Sequence, residues 1–341
     1  MTSQRNDASS FQLHDRDKFV LLLVSNVFTE PRDLPEIQLS GNTWVLPKYP
    51  TALDMHWEAL VGTIRFEEIK RANLVLSSVS PSRSYTLERE DESLGERMAH
   101  LYSLLQLSGV IEHEAANLLT GSLDSGNAYI RQMASITTYR PTKGYTRNAV
   151  TIERLQEAAQ FLATLNALRD SSGHQRFLRG LGILFDGLRQ QSGQERLHQF
   201  VRALEALTLP STGATKRNFS HRCQTFASAS AEAAAILNQA FDMRSDAEHV
   251  HEWDRSLGDV APEKPEDVAL WRTRQMERLA CTAFSRALGD QNILRHFIDE
   301  NSISSFWKFD DATRRRIWGV GLDLSSIPIV RSYDQWGRAR G

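Results

Sequence analysis

The two residues of this chain best suited to act together chemically are Arg244 and His249, which are separated by four residues. On one continuous helix a step of five residues places two side chains about 140° apart, so they would not converge. The intervening residues 245–248, however, have the sequence Ser-Asp-Ala-Glu, which has the form of a capping box at a helix start. If Ser245 is the N-cap, Arg244 and His249 occupy the two positions that a hydrophobic staple brings into contact. The spacing therefore predicts that both side chains lie together at the start of a helix.

A helix start suits a phosphate, because its free backbone N–H groups and positive dipole end point outward. Arginine adds a planar, permanently charged donor fork for phosphate oxygens. Histidine can take or give a proton near neutral pH. The predicted chemistry is attack by a ribose 2′-hydroxyl on its own phosphate, with Arg244 and Ser245 on the RNA phosphate and His249 in proton transfer. A structural interpretation stays open beside it, in which Arg244 pairs with a carboxylate such as Asp242 or Glu205 and His249 is an interface histidine.

Two other patterns could be taken for metal sites. His249 and His251 form His-x-His, but positions i and i+2 of a helix point about 200° apart and cannot share one ion. Asp54, Glu68 and Lys70 faintly resemble a metal-dependent nuclease core, which needs its Glu-x-Lys on a strand, whereas this segment is predicted to be helical. We therefore expect no metal and no other cofactor.

Basic and aromatic residues elsewhere could guide single-stranded RNA, which is held by charge and by base stacking. Lys216, Arg217 and Arg222 lie with His221 near a predicted helix start and are the candidate RNA-binding residues. Further candidates lie in a predicted linker and near the end of the chain: Tyr139, Arg140, Lys143, Tyr145, Arg147, Arg314, Arg315, Arg316 and Trp318. Each of them could equally be a solvated charge or an ordinary packing aromatic.

The elements that must position these residues are mostly helical. From residue 152 onward apolar residues recur at helical spacing. Helices are predicted over 152–165, 177–188, 197–207, 218–240, from 245, over 268–288 and over 293–299. Short loops between helices of this length favour an antiparallel bundle.

The N-terminal part mixes strand and helix patterns instead. Strands are predicted at 18–28, 36–46 and 73–79, helices at 53–71, 96–107 and 109–119, and a loop at 121–126. Pro141 and Gly144 mark 137–147 as a linker. The predicted fold is therefore mostly α: a mixed α+β domain of sensing or regulatory role over 1–147, a helical domain over 148–300 and a C-terminal extension over 301–341.

The composition of the chain excludes several classes of protein. The chain has 341 residues with 40 Lys and Arg against 42 Asp and Glu, so it is not a globally basic nucleic-acid coat protein, and RNA contact must use a local patch. Its two cysteines, Cys223 and Cys281, can build neither a disulfide framework nor a four-cysteine zinc site. No secretory signal or membrane span is recognisable, so we expect a soluble cytoplasmic protein without membrane contact.

Several segments of the predicted helical domain together resemble HEPN domains, specifically the ApeA-like group. They are Leu-Glu-Ala-Leu at 204–207, Arg222 on the following helix, Phe-Asp-Met-Arg-Ser at 241–245, the subsequent His249 and a closing helix at 269–288. The resemblance covers roughly residues 150 to 300 of the chain.

What the resemblance implies is an all-helical domain that dimerises, so that the arginine and histidine of two protomers line one metal-independent RNase site. Carried over, Arg244 binds the scissile phosphate and His249 transfers a proton. Proteins of this kind look like toxins, anti-phage effectors or RNA-processing factors, so the expected partners are RNA, a second copy of the chain, and a regulatory protein or phage-derived trigger. The alternative is that the same fold serves as a non-catalytic interaction, oligomerisation or RNA-binding module.

Overall fold

The chain forms two compact units. The computed structural model describes residues 10–50, 55–80, 88–139, 148–249, 251–257 and 264–329. The first unit comprises Met1–Gln106, Ile111–Thr138 and Arg147–Leu162, and the second comprises Leu107–Val110, Tyr139–Thr146 and Ala163–Gly341. These bounds differ from the predicted segments, since residues 147–162 go with the first unit, and residues 107–110 and the expected extension from 301 go with the second. No helix within the described ranges is long and apolar enough to cross a membrane.

The first unit is built on a six-stranded antiparallel sheet. The strands of the chain are β1 (Lys18–Ser25), β2 (Thr29–Glu30), β3 (Ile37–Ser40), β4 (Thr43–Leu46), β5 (Ala72–Ser80), β6 (Ala115–Asp124), β7 (Asn127–Ser135) and β8 (Val150–Thr151). The order in the sheet is β3-β4-β5-β1-β6-β7, and β2 pairs with β8 in parallel outside it.

Strand β1 is buried along its whole length because helices cover the sheet. Alternate residues of a strand point to opposite faces, and one face of β1 packs in a cluster with Trp57, Phe66 and Ile69 from the helices α1 (Met55–Val61) and α2 (Thr63–Lys70). Helix α3 (Glu88–Leu105) packs on β1, β5 and β6 with Met98 and Leu101 fully buried. The apolar sequence of β1 is therefore that of a strand covered on both faces.

Three local predictions for this unit are wrong. The predicted helix at 109–119 and the predicted loop at 121–126 are largely replaced by β6, in which Leu119 lies opposite Leu21 of β1. The predicted single strand at 36–46 is a hairpin that turns at Gly41, where φ is +45°. A short apolar run fits a strand as well as a helix, and here the exposed hydrogen-bonding edge of β1 selects the strand.

The second unit is helical. After α4 (Ile152–Arg169), which runs from one unit into the other, its helices are α5 (Gln175–Arg189), α6 (Gly193–Thr208), α7 (Thr215–Cys223), α8 (Ala231–Glu248), α9 (Asp254–Leu257), α10 (Pro265–Gly289), α11 (Gln291–Leu294), α12 (Glu300–Lys308) and α13 (Asp311–Trp318). The mostly helical fold with an α+β region is confirmed.

Helices α5 and α6 pack closely because glycines leave room at their contact. A Cβ atom on Gly180 would lie 2.5 Å from the Cβ of Ala206, and one on Gly187 would lie 2.8 Å from the Phe200 ring. Helix α10 packs on α6, where Arg196 and Glu277 form a buried ion pair with 2.5 Å between Nη2 and Oε2. These contacts fix the position of α6 at the centre of the unit.

The predicted helix start at Ser245 is wrong. Helix α8 begins at the N-cap Ser230, whose side chain accepts a hydrogen bond from the backbone N–H of Ala233 at 2.9 Å. It continues through Ser245 to Glu248, so residues 245–248 are its last turn and not a capping box. The predicted helix at 218–240 is correspondingly divided between α7 and α8.

Candidate functional site

Three helices of the second unit line a cavity of about 610 Å³ that is rich in charged side chains. We call it the α5–α6–α8 cavity. Its lining residues are Arg176, Arg179 and Ile183 from α5, Glu195, His198, Arg202, Glu205 and Ala206 from α6, and Arg244, Ala247 and Glu248 from α8. Four guanidinium groups, three carboxylates and one imidazole therefore share one cavity that is open to solvent.

The spacing of these residues explains why they face the same space. On each helix the lining residues recur at steps of three or four, which keeps side chains on one face. Arg176, Arg179 and Ile183 follow this rule on α5, while Arg244 and Glu248 follow it on α8. The close packing of α5 on α6 and of α6 on α8 then brings the three faces together.

Arg244 is held in the cavity wall by two carboxylates. Its Nη2 donates to Oε2 of Glu205 at 3.1 Å, and its Nη1 donates to Glu248 on the same helix. The Arg244 side chain is 16% exposed and Glu205 is 14% exposed, whereas Glu248 is 46% exposed. The guanidinium also lies 5.8 Å from the centre of the Phe241 ring. One nitrogen of Arg244 is thus bound inside the protein and the other is paired at the surface.

Two titratable groups of the cavity wall are shifted by burial. Burial raises the pKa of Glu205 above its ordinary value; Arg244 opposes that rise and Glu248 adds to it. Burial also lowers the pKa of His198, against the effect of the main-chain carbonyl of Arg244, and the charges of Arg244 and Arg202 lower it further. Burial therefore favours the neutral form of the His198 imidazole.

The other arginines of the cavity differ in whether they already have hydrogen-bond or ion-pair partners. Arg176 donates through Nε to the carbonyl of Ala206 at 3.0 Å and forms an ion pair with Glu300 at 3.1 Å. Arg179 and Arg202 are exposed, and within the described part of the chain neither forms a hydrogen bond or an ion pair. These two are the guanidinium groups of the cavity that are free to meet a ligand.

His249 lies next to the cavity-lining Glu248, at the C-cap of α8, and it is exposed. Its backbone N–H donates to the carbonyls of Ser245 and Asp246. The carbonyl end of a helix carries the negative end of its dipole. The expectation that Arg244, Ser245 and His249 lie at a phosphate-binding helix start is therefore corrected, because these residues lie in the last turn and the C-cap.

The predicted RNA-binding residues on α7 divide into two groups. Arg222 donates to the carbonyls of Thr208 and Leu209, at 2.7 and 2.6 Å, and so caps the end of α6 instead of facing solvent. Lys216 pairs with Asp242 at 2.6 Å, and both side chains are nearly half exposed. Arg217 and Lys216 line a second cavity of about 620 Å³ at the start of α7.

None of the remaining sequence candidates that the structure describes lines the α5–α6–α8 cavity. Tyr139 is buried against Phe185, and Arg314 donates to the carbonyl of Trp307. Residues 140–147 and 51–54, which include Asp54 of the nuclease-like pattern, lie outside the described residues. Glu68 of that pattern accepts a hydrogen bond from Asn117 at 2.8 Å. Among the residues that the structure describes, no group of three or more His, Cys, Asp or Glu side chains could hold a metal ion.

Sequence reasoning missed most of the cavity. His198 and the cavity arginines of α5 and α6 belong to charged stripes at helical spacing, which resemble ordinary solvated helix faces. The stripes at 176–183 and 195–205 were the available signal, but periodicity on one helix does not reveal which other helix face lies against it. No protein-family model, no curated protein and no solved structure matches this chain.

Proposed function

We propose that this protein is a metal-independent endoribonuclease of HEPN type that acts as a dimer. The observation that carries the proposal is the convergence of four guanidinium groups, that of Arg244 among them, and of His198 on one cavity at the end of α8. Arginine is the side chain best matched to phosphate, because its planar fork donates two parallel hydrogen bonds. A phosphodiester is therefore the substrate class that this charge distribution favours.

In the proposed reaction Arg244 contacts the scissile phosphate and His249 moves a proton. The 2′-hydroxyl oxygen attacks the adjacent phosphorus, its proton passes to an imidazole, and the bond from phosphorus to the 5′-oxygen breaks. The leaving 5′-oxygen takes that proton from the imidazolium, and the products carry a 2′,3′-cyclic phosphate and a 5′-hydroxyl. An imidazole acting in this way typically contributes about 10²–10⁴-fold in rate.

The ion pairs of Arg244 are compatible with this role. Glu248 is the more exposed of its two partners, and exposed ion pairs contribute little stability, with a median of about 0–1 kcal/mol. A phosphate oxygen can therefore replace Glu248 on Nη1 while Glu205 keeps its hold on Nη2. The guanidinium would thereby stay oriented when substrate binds.

A second copy of the chain supplies the other half of the proposed site. A step of five residues at the end of a helix directs Arg244 and His249 about 140° apart, so the pair of one chain does not converge on one phosphate. A two-fold interface places the same helix end of both protomers side by side. The arginine of one protomer and the histidine of its partner then act on the same phosphodiester.

The test is cleavage of a labelled single-stranded RNA by the purified protein in the presence of EDTA. We expect cleavage that leaves 2′,3′-cyclic phosphate ends, a loss of about 10²–10⁴-fold in His249→Ala, and weakened binding and cleavage in Arg244→Ala. His251→Ala is the matched control, since it changes a nearby exposed histidine. A requirement for Mg²⁺ or Mn²⁺, or full activity in a folded His249→Ala variant, would overturn the mechanism.

A second candidate function is a non-catalytic RNA-binding or oligomerisation module. The double engagement of Arg244 by Glu205 and Glu248 favours it, because a cation that is already paired contributes less to binding a phosphate. In the same experiment this function predicts RNA retention without cleavage.

The anti-phage or toxin role that the family resemblance implies belongs to the first candidate function, the endoribonuclease. So does a regulatory protein or a phage-derived trigger as its partner.

A further inference from the structure

The α5–α6–α8 cavity contains polar groups that its own protein atoms do not satisfy. Arg179 and Arg202 are exposed at the cavity and form no hydrogen bond or ion pair within the described part of the chain. In addition, Nδ1 of His198 and Nε of Arg244 are buried in its wall without a hydrogen-bond partner. A buried polar atom without a partner is costly and is normally satisfied by a water or a ligand. The two free guanidinium groups therefore make the cavity suitable for an anionic ligand, and the buried Nδ1 and Nε atoms leave hydrogen-bonding capacity of its wall unused.

The charges around the cavity restrict that ligand. Two unpaired guanidinium groups favour a phosphate, which each can contact with two parallel hydrogen bonds. Three carboxylates, however, share the lining, and they oppose the entry of more than one phosphate. The cavity therefore suits a small ligand with one phosphate and with hydroxyl donors for the carboxylates.

One carboxylate is placed to accept such donors. Glu195 begins the cavity-lining stripe of α6, it is exposed, and it forms no hydrogen bond or ion pair within the described residues. An acidic side chain that accepts hydrogen bonds from ribose hydroxyls is a recurrent device in nucleotide sites. The cavity volume of about 610 Å³ lies within the range of small-molecule sites.

We propose that the α5–α6–α8 cavity binds one ribonucleotide unit, with its phosphate on Arg179 and Arg202 and its ribose hydroxyls on Glu195. This inference deepens the proposed function and rests on it. If the protein cleaves RNA, the bound nucleotide is a unit of that RNA next to the scissile phosphate. A free ribonucleoside monophosphate presents the same chemistry. Binding of a mononucleotide can therefore be measured without any cleavage.

The experiment is calorimetric titration of the full chain with AMP, CMP, GMP and UMP, and with the 2′-deoxy forms, the free nucleosides and inorganic phosphate. We expect at least one ribonucleoside monophosphate to bind at least tenfold more tightly than its 2′-deoxy form, its nucleoside or phosphate. Arg179→Ala and Arg202→Ala should each weaken that binding at least tenfold. Glu195→Gln should remove the preference for ribose over deoxyribose. Arg65→Ala, which changes an exposed arginine of α2 that does not line the cavity, is the matched control and should bind as the wild type does.

Competition distinguishes the two sources of the nucleotide. If the cavity holds a unit of RNA, a short oligoribonucleotide that carries the preferred base displaces the mononucleotide; if it holds a free nucleotide, the oligomer does not displace it. Absence of binding by all four ribonucleotides, equal binding of ribo- and deoxyribonucleotide, or binding unchanged by Arg179→Ala and Arg202→Ala would overturn the inference. Nucleotide binding by a protein that cleaves no RNA would instead leave the cavity assignment standing and remove the proposed activity.

Discussion

Arg244 and Glu205, 39 residues apart in the sequence, form an ion pair that ties α8 to α6 with 3.1 Å between Nη2 and Oε2. Both side chains are more than four-fifths buried, so water screens this pair far less than it screens a surface pair. The pair holds the arginine that the proposed mechanism needs. It also contributes to the packing of the helical unit.

Removal of the arginine should therefore destabilise the protein. In Arg244→Ala the Glu205 carboxylate stays largely buried without its main partner, which typically costs about 1–3 kcal/mol. Urea unfolding of the variant and the wild type at pH 7.5 measures the difference. The matched control is Arg202→Ala, which removes an exposed arginine of the same cavity and should change stability by less than about 0.5 kcal/mol. Equal stabilities of the two variants would contradict a structural role for the pair.

The corrected start of α8 predicts opposite effects for two serines. Ser230→Ala removes the side chain that accepts the hydrogen bond from Ala233 at the helix start, at a cost of about 1 kcal/mol. Ser245→Ala changes a residue inside the helix, where alanine is the better helix former, and should be neutral or stabilising by up to about 0.5 kcal/mol. Thermal unfolding of both variants checks this. A loss in Ser245→Ala as large as that in Ser230→Ala would restore a helix start at Ser245.

The contact between α5 and α6 predicts a second pair of opposite effects. Gly180→Ala would place a Cβ 2.5 Å from that of Ala206 and 2.9 Å from the Phe284 ring, so it should destabilise the unit by about 1–3 kcal/mol. Gly182→Ala on the same helix meets no atom within 4 Å and should stabilise it by up to about 1 kcal/mol. The midpoints of urea unfolding measure both changes. Because Ala206 lines the cavity, Gly180→Ala should also weaken nucleotide binding, whereas Gly182→Ala should not.

A half-buried histidine in the first unit makes stability depend on pH. Nε2 of His113 lies 2.9 Å from the hydroxyl of Tyr102, and burial lowers the pKa of His113 below the ordinary value of about 6.5. The unfolded chain therefore binds a proton at a higher pH than the folded chain does. Folding stability that is present above pH 6.5 is lost as the pH falls toward the lower pKa of the folded state.

We expect His113→Gln to lose less stability than the wild type between pH 7.5 and pH 5.5, in urea unfolding at both pH values. The reason is that glutamine has no proton to gain in the unfolded chain. His251→Gln, which changes an exposed histidine, should retain the pH dependence of the wild type. An identical fall in stability for His113→Gln and the wild type would show that His113 is not responsible.

The local sequence was sufficient to predict an element where its residue pattern fits only one type of secondary structure. The stretch predicted over 268–288 is α10, because Trp271, Met276, Leu279 and Ala283 recur at helical spacing and proline marks its start. Strands β1 and β5 were likewise predicted close to their observed bounds, since short runs of apolar and β-branched residues between turn signals favour strands. The mostly helical composition of the chain followed from the same periodicities.

Tertiary contacts decided the structure of those segments whose local sequence pattern fits two different elements. Ser-Asp-Ala-Glu at 245–248 can start a helix or end one. Two contacts hold it at the end of α8: the His249 backbone N–H donates to the carbonyls of Ser245 and Asp246, and the Met243 side chain, two residues before the segment, is buried. The segment at 115–124 became a strand because β1 offered it a partner. The cavity itself depends on the close approach of α5 and α6 at Gly180, which brings together arginines that no spacing along the chain connects. Periodicity records which side of an element is apolar or charged, whereas the neighbour of that side is set by packing between segments distant in the sequence.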